Sequence, residues 1–337
     1  MGRIISAISG LLILLLSTVP STAQTQATVR PWTSSWSAGS EDCRAHPQSP
    51  LEVHEYNSRT FVLRESLCST WEAPFMYLLL GDKRALLIDT GDVADARQMP
   101  LAQTVLHMVS QYGSPGLPLL VVHTHRHLDH RSADPQFQHL PNVRVVGYDL
   151  ASVRQFFGFT HWPDGRAQID LGGRIVDVLP APGHEATHLV FYDRNTALLF
   201  SGDFLMPGRL LIDNSSADLL SARRIAQFVS DKPVSAVLGG HIEEDVDGRL
   251  LPWGSTFHPR ERRLPMDKSD LLALPAALNG FNGFYSRSGK FVIINPIHNL
   301  IATASAALLL LVALIAAAIH FLRRRRRRRA NARLGVA

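Results

Sequence analysis

The sequence is poor in cysteine, with two in 337 residues, Cys43 and Cys68. Neither has the close spacing of a thiolate metal site, so any metal here is held by other side chains. No Gly-rich phosphate loop of the GxGxxG or GxxxxGK[ST] kind occurs, and no short tandem repeat, which removes two nucleotide-binding fingerprints and the solenoid folds. Charged residues make up only 19% against 46% hydrophobic, a globular balance that excludes wholesale disorder. Acids are missing from both ends of the chain. That absence explains the formal net charge of +5: residues 323–329 are seven arginines, Arg333 is an eighth and Arg3 a ninth. With those nine set aside, about −4 remains for the body, so the basicity does not point to a nucleic-acid partner.

The ends read as targeting signals. Residues 1–23 carry one positive charge at Arg3, an apolar run over 4–16 and small residues at 21 and 23, the pattern of a secretory signal peptide. Residues 300–322 contain no Asp, Glu, Lys or Arg and would rise about 34 Å as a helix, enough to cross a bilayer. The Arg-rich tail over 323–337 follows at once, and the excess of cations on the cytoplasmic side then orients the chain. The expectation is a single-pass cell-membrane protein with an exported (periplasmic or extracellular) N-terminal part and a cytoplasmic C-terminus. Both cysteines fall in the exported part, where a disulfide could persist; spacing alone does not decide whether they pair.

Between the signals, residues 24–50 are rich in Ser, Thr, Pro and Trp without periodicity and read as an irregular lead-in. Strand-like runs recur at 60–63, 75–80, 85–88, 119–124, 143–146, 174–179, 189–192, 197–200 and 234–238, with helical patterns at 99–112, 150–157 and 217–229. Alternating strands and helices predict layered α/β architecture over 51–262, followed by a juxtamembrane segment at 263–299.

Histidine carries the chemical signal. Of 15 histidines, four stand in His123-Thr124-His125-Arg126-His127-Leu128-Asp129-His130, directly after a buried-strand run. Imidazoles packed so closely repel one another as they protonate, and burying them is costly unless each is hydrogen-bonded or bound to an ion. His125, His127, Asp129 and His130 offer N and O donors of the type that suits zinc or iron. Three more candidates, His184, Asp203 and His241, each follow a strand-like run and sit beside Gly or Pro, where a tight turn can present a side chain inward. His123 reads as a structural histidine, two residues ahead in the strand. His188 is a candidate for substrate contact or local hydrogen bonding, and Tyr148, His161 and Trp162 for groove-lining positions.

This set resembles the metallo-β-lactamase fold superfamily. The H-x-H-x-D-H motif stands as His125-x-His127-x-Asp129-His130, and the later loops match Pro182-Gly183-His184, Gly202-Asp203 and Gly240-His241 in order. Leu86-Leu87-Ile88-Asp89-Thr90-Gly91 resembles that family's strand-Asp-x-Gly element. Ser132-Ala133 replaces the glycine pair usual after the motif, and Arg131 is inserted there. The resemblance implies a four-layer αββα sandwich with two divalent ions, zinc first with iron or manganese as alternatives. It implies His125, His127 and His184 on one metal, Asp129, His130 and His241 on the other, and Asp203 bridging. Asp203 points to the glyoxalase II and lactonase-like branches, and His127 away from flavodiiron oxidoreductases, which carry Glu at that position. The implied reaction is attack of a metal-activated water on an ester, lactone, thioester or related bond of a small-molecule substrate, with Asp129 orienting the nucleophile. Asp89 would accept a ligand imidazole's N–H and fix its tautomer. Two other classes stay open, a mono-iron thiol or persulfide dioxygenase and a non-catalytic metal-binding sensor.

Overall fold

The computed structural model describes residues 35–335; the expected signal peptide at 1–23 lies outside them. The first half of the chain runs β1 (Leu51–Asn57), β2 (Thr60–Glu65), β3 (Phe75–Leu80), β4 (Ala85–Ile88), α1 (Leu101–Tyr112), β5 (Leu119–Val122), α2 (Asp134–Phe137), β6 (Val143–Val145) and α3 (Leu150–Phe157). Its strands form one six-stranded sheet in sequential order, antiparallel as far as β4 and parallel from β4 to β6. The second half runs β7 (Ala167–Asp170), β8 (Ile175–Pro180), β9 (Leu189–Asp193), β10 (Leu198–Gly202), β11 (Arg209–Leu211), α4 (Ser215–Val229) and β12 (Ala236–Gly239). These strands, β11 excepted, form a five-stranded sheet in the order β12-β10-β9-β8-β7. Last come α5 (Lys268–Asn279), β13 (Tyr285–Ser288), β14 (Phe291–Ile294) and α6 (Pro296–Leu334), with β11, β14 and β13 making a small third sheet.

Burial on both faces explains the unbroken apolar strands. In β3, Phe75, Tyr77 and Leu79 enter the core between the two large sheets, while Met76, Leu78 and Leu80 face α1. In β9, Leu189 and Phe191 enter that same central core, and Val190 and Tyr192 join a cluster with Ala222, Ile225 and Val229 of α4. The layers are therefore α1/α2, sheet, sheet, α4/α5, the αββα sandwich.

Residues 263–299 do more than lead to the apolar C-terminal helix. Leu271, Leu274, Ala277 and Leu278 of α5 are buried against the second sheet's outer face, so α5 belongs to the sandwich's outer layer. The described part of the lead-in, residues 35–50, is irregular but docked: Trp36 stacks on His54 at 3.8 Å, Ser40 N–H donates to the Thr256 carbonyl at 2.9 Å, and Cys43 is disulfide-bonded to Cys68. The apolar C-terminal helix is longer than the expected 300–322. It starts at Pro296 and continues through the arginine run, since arginine is a good helix former. Pro296–Ala330 is long and apolar enough to cross a membrane, and its most apolar stretch is not buried against the domain.

Candidate metal centre

Four strand ends build the site. β5 delivers the stretch from His123 to His130, whose last three residues form a 3₁₀ turn; β8 leads to His184, β10 to Asp203 and β12 to His241. Two glycines allow the loops to meet. At Gly202 φ is +50° and an added Cβ would sit 2.7 Å from Thr124, while at Gly240 it would sit 2.3 Å from Asp203 Oδ1 and 2.7 Å from His130.

The seven expected ligands fall into two clusters, His125, His127 and His184 in one and Asp129, His130, Asp203 and His241 in the other. In the first, His125 Nε2 lies 2.9 Å from His127 Nδ1 and 3.2 Å from His184 Nε2, and the remaining N–N distance is 3.1 Å. In the second, His130 Nε2 and His241 Nε2 are 3.2 Å apart, and Asp129 Oδ2 lies 3.4 and 3.2 Å from them. Asp203 faces both: Oδ1 is 3.4 Å from His130 Nε2, and Oδ2 is 3.6 Å from His184 Nε2.

The outer nitrogens test whether a cation fits. His184 Nδ1 donates to the Leu211 carbonyl at 2.6 Å and His241 Nδ1 to the Glu72 carbonyl at 2.8 Å. His130 Nδ1 donates to Asp89 Oδ2 at 3.0 Å. Thr124 gives its hydroxyl proton to Asp89 Oδ2 at 2.8 Å, leaving its oxygen to accept from His125 Nδ1 at 3.1 Å. In the neutral rings these bonds leave all four Nε2 atoms with lone pairs, and they face one another in pairs at 3.2 Å. Such pairs repel unless a positive ion lies between them. The buried Asp203 Oδ1, which has no hydrogen-bond donor, meets the same need. The donor set, imidazoles and carboxylates with their outer atoms already fixed, fits a pair of divalent ions.

The electrostatics divide along the same line. Burial, reinforced by the neighbouring imidazoles of His130 and His184, pushes His125 well down, and burial with His184 lowers His127. In the other cluster burial opposes charge but the carboxylates prevail. Asp129, Asp203 and Asp89 hold His130 well above the usual imidazole range, and Asp203 with Asp129 raises His241 to about 10. Against the same burial, His130 and His241 hold Asp129 and Asp203 below the ordinary carboxylate range.

Asp89 holds the motif loop through three bonds: Thr124 N–H at 2.6 Å, the Thr124 hydroxyl and His130 Nδ1. Replacing it with alanine is expected to weaken metal binding or activity about 10- to 100-fold, the usual cost of losing a ligand's orienting partner. A competition titration with a chromophoric chelator reads the change; unaltered affinity and turnover would discard the role.

Other candidates fall elsewhere. His123 turns away to Asp134 Oδ1 at 2.8 Å, which also takes the Thr90 hydroxyl. His188 is fully buried and stacks on His125 at 4.9 Å, out of reach of a substrate in the groove, and its ring nitrogens have no hydrogen-bond partner among the described residues. Tyr148 lies under Arg131 at 3.7 Å, and Arg131 Nε ties back to the Arg126 carbonyl at 2.6 Å, closing the loop where the motif departs from its usual glycines. Trp162 packs on Phe159 and His161 bonds Thr160. Sequence reasoning missed Asp218, a buried carboxyl on α4 that receives the His184 backbone N–H and is pushed up to about 8 by burial. Its signal was an acid on the helix's apolar stripe, in line with Ala222, Ile225 and Val229.

Residues 69–241 match the family model described as the metallo-beta-lactamase superfamily. Acyl-coenzyme A thioesterase MBLAC2 from Gallus gallus is 26% identical over 236 residues, 59% of this chain and 83% of that protein. A hydroxyacylglutathione hydrolase from Aeromonas hydrophila subsp. hydrophila is 27% identical over 161 residues, 47% of this chain and 58% of that protein. Among solved structures, a metallo-beta-lactamase from Pontibacter korlensis is similar at a TM-score of 0.49 and 19% identity, covering 68% of this chain and 100% of that one. With the family model spanning just over half of its length, the chain belongs to the metallo-beta-lactamase superfamily.

Proposed function

We propose that the chain is a membrane-anchored metallohydrolase, with the sandwich outside the cell membrane, that cleaves acyl thioesters or related acyl bonds. One observation carries the reading: two ligand clusters stand side by side with their lone pairs convergent, and Asp203 turns one carboxylate oxygen to each. Two divalent ions in those clusters, zinc being the expected metal, would supply a nucleophilic water of lowered pKa and polarise the scissile carbonyl. The chain's own residues do the rest. His125, His127 and His184 hold one side of the groove, and His130 and His241 the other. Asp129, whose side chain is the most open of the second cluster at 22% exposure, accepts a hydrogen bond from the attacking water and sets its direction. Asp89 and the carbonyls of Leu211 and Glu72 keep the imidazoles in the ligating tautomer. The thioester preference rests on the relatives, named as an acyl-coenzyme A thioesterase and hydroxyacylglutathione hydrolases. The Cys43–Cys68 disulfide supports an oxidising compartment, and arginines immediately after the apolar stretch support a cytoplasmic C-terminus.

The test is metal analysis of the purified full-length protein, paired with a panel of ester, lactone, thioester and β-lactam substrates before and after chelation. The expected result is about two divalent ions per chain and thioester cleavage that chelation abolishes and added zinc restores. One iron per chain with oxygen consumption on thiols would replace this reading with the dioxygenase one.

A further inference from the structure

Very little chain separates the candidate metal centre from the membrane helix. His184 donates to the carbonyl of Leu211 in β11, and Leu211 is in register with Ile294 of β14. Pro296 opens α6 two residues later, and the apolar stretch begins at Leu300. One strand spacing, two extended residues and four helical rises put the ligand at most about 25 Å from the first hydrocarbon-length residue. The join is also fixed. Asn295 N–H and Asn299 Nδ2 both donate to the Phe284 carbonyl at 3.0 Å, and His298 Nδ1 donates to the Gly283 carbonyl at 2.8 Å. The anchor's first turn is thus fastened to the loop before β13 and cannot act as a loose tether.

The groove's rim on the His241 side continues to the same place. His241 is held by the carbonyl of Glu72, and the neighbouring Trp71 meets Trp253 edge to face at 5.4 Å. Trp253 is 56% exposed and covers the Arg209 guanidinium of β11 at 4.3 Å, beside β14. Exposed Val246, Phe284 and Tyr285 lie along this side, where Arg287 of β13 bonds the Gly248 carbonyl. Tryptophan and tyrosine with one wet and one apolar end prefer the lipid headgroup level, and exposed apolar side chains gathered on neighbouring segments mark an interaction face.

We propose that this rim rests on the lipid–water interface of the bilayer that holds α6, and that the groove draws long-chain acyl thioesters or esters directly from that leaflet. The proposal rests on the hydrolase reading above. Its test uses the full chain in phosphatidylcholine nanodiscs. With lipids brominated in the upper acyl chain, tryptophan emission is expected to be quenched, and Trp253→Phe to lose a large part of that quenching. In unbrominated discs, kcat/KM for a bilayer-partitioned palmitoyl thioester should exceed that for a soluble acetyl thioester by at least about tenfold, a ratio that Trp253→Ala collapses; tenfold corresponds to about 1.4 kcal/mol. Quenching indifferent to Trp253, or equal turnover of the two thioesters, overturns the inference while leaving the hydrolase reading intact. Loss of both turnovers in the metal-loaded wild type overturns the hydrolase reading, and the inference with it.

Discussion

His184→Ala is expected to lower thioester kcat/KM about 10³-fold or more and to remove one of the two divalent ions. Polarisation of the scissile carbonyl by a metal contributes several kcal/mol to the transition state, and each 1.36 kcal/mol is a factor of ten. The alanine deletes one of three nitrogens in the first cluster and withdraws the imidazole that faces Asp203 Oδ2 at 3.6 Å. His125 and His127 remain with the shared Asp203, a set one imidazole short of the cluster that would hold the ion. The contrast that gives the result meaning is His123→Asn. His123 lies in the same His-rich stretch and is equally buried, yet it bonds Asp134 and belongs to neither cluster. That variant is expected to lose stability while keeping both ions and most of its turnover per folded molecule. Metal analysis beside steady-state kinetics separates the two outcomes. Full turnover in His184→Ala would remove the first cluster from the reaction.

The seven candidate ligands were legible as a group because chemistry and local geometry agree at each of them. His184, Asp203 and His241 follow apolar strands and sit against Gly183, Gly202 and Gly240, and the last two glycines are where loops approach too closely for a side chain. In the two large sheets, the strands with two buried faces were legible for the same reason that they are apolar throughout; β14, equally apolar, went unread. β1, β7 and β13 were not: their sequences, such as Ala-Gln-Ile-Asp and Tyr-Ser-Arg-Ser, are half polar because they lie at sheet edges. β11 is three residues long and becomes a strand only by pairing with β14, more than 80 positions later, a relation no local pattern announces. α5 carries Pro275 in its interior, which argues against a helix until the buried Leu271, Leu274 and Leu278 outweigh the lost hydrogen bond. The pairing of Cys43 with Cys68 is non-local in the same way. It follows from the lead-in docking along β1 and against the 256–258 loop.

The other large effect is on folding, at the end of the sandwich away from the candidate metal centre. Arg174 precedes β8, whose far end leads to His184, and its side chain is buried. It makes a two-pronged pair with Asp193 at 3.0 and 2.7 Å, and it donates to the Arg59 carbonyl at 2.6 Å, the Leu80 carbonyl at 3.3 Å and the Thr60 hydroxyl at 2.8 Å. One guanidinium thus pins the second sheet to the turn and strand ends of the first. Arg174→Met fills much of the same space but leaves Asp193 as a buried charge, with only Thr196 and the Asn195 N–H to answer it. Removing one partner of a buried pair costs about 3–5 kcal/mol. At roughly 2–4 °C per kcal/mol for a domain of this size, the melting temperature should fall by about 10 °C. Thermal unfolding of the full-length protein, followed by circular dichroism after chelation, reads the shift without a contribution from metal binding. The double change Arg174→Met with Asp193→Leu should recover part of it, since the orphaned charge is gone while the Arg59 and Leu80 carbonyls stay unanswered. Metal content and turnover per folded molecule should hold at 25 °C, because every ligand lies at the opposite strand ends. A shift below about 3 °C would show that the two sheets are held together by their apolar core alone.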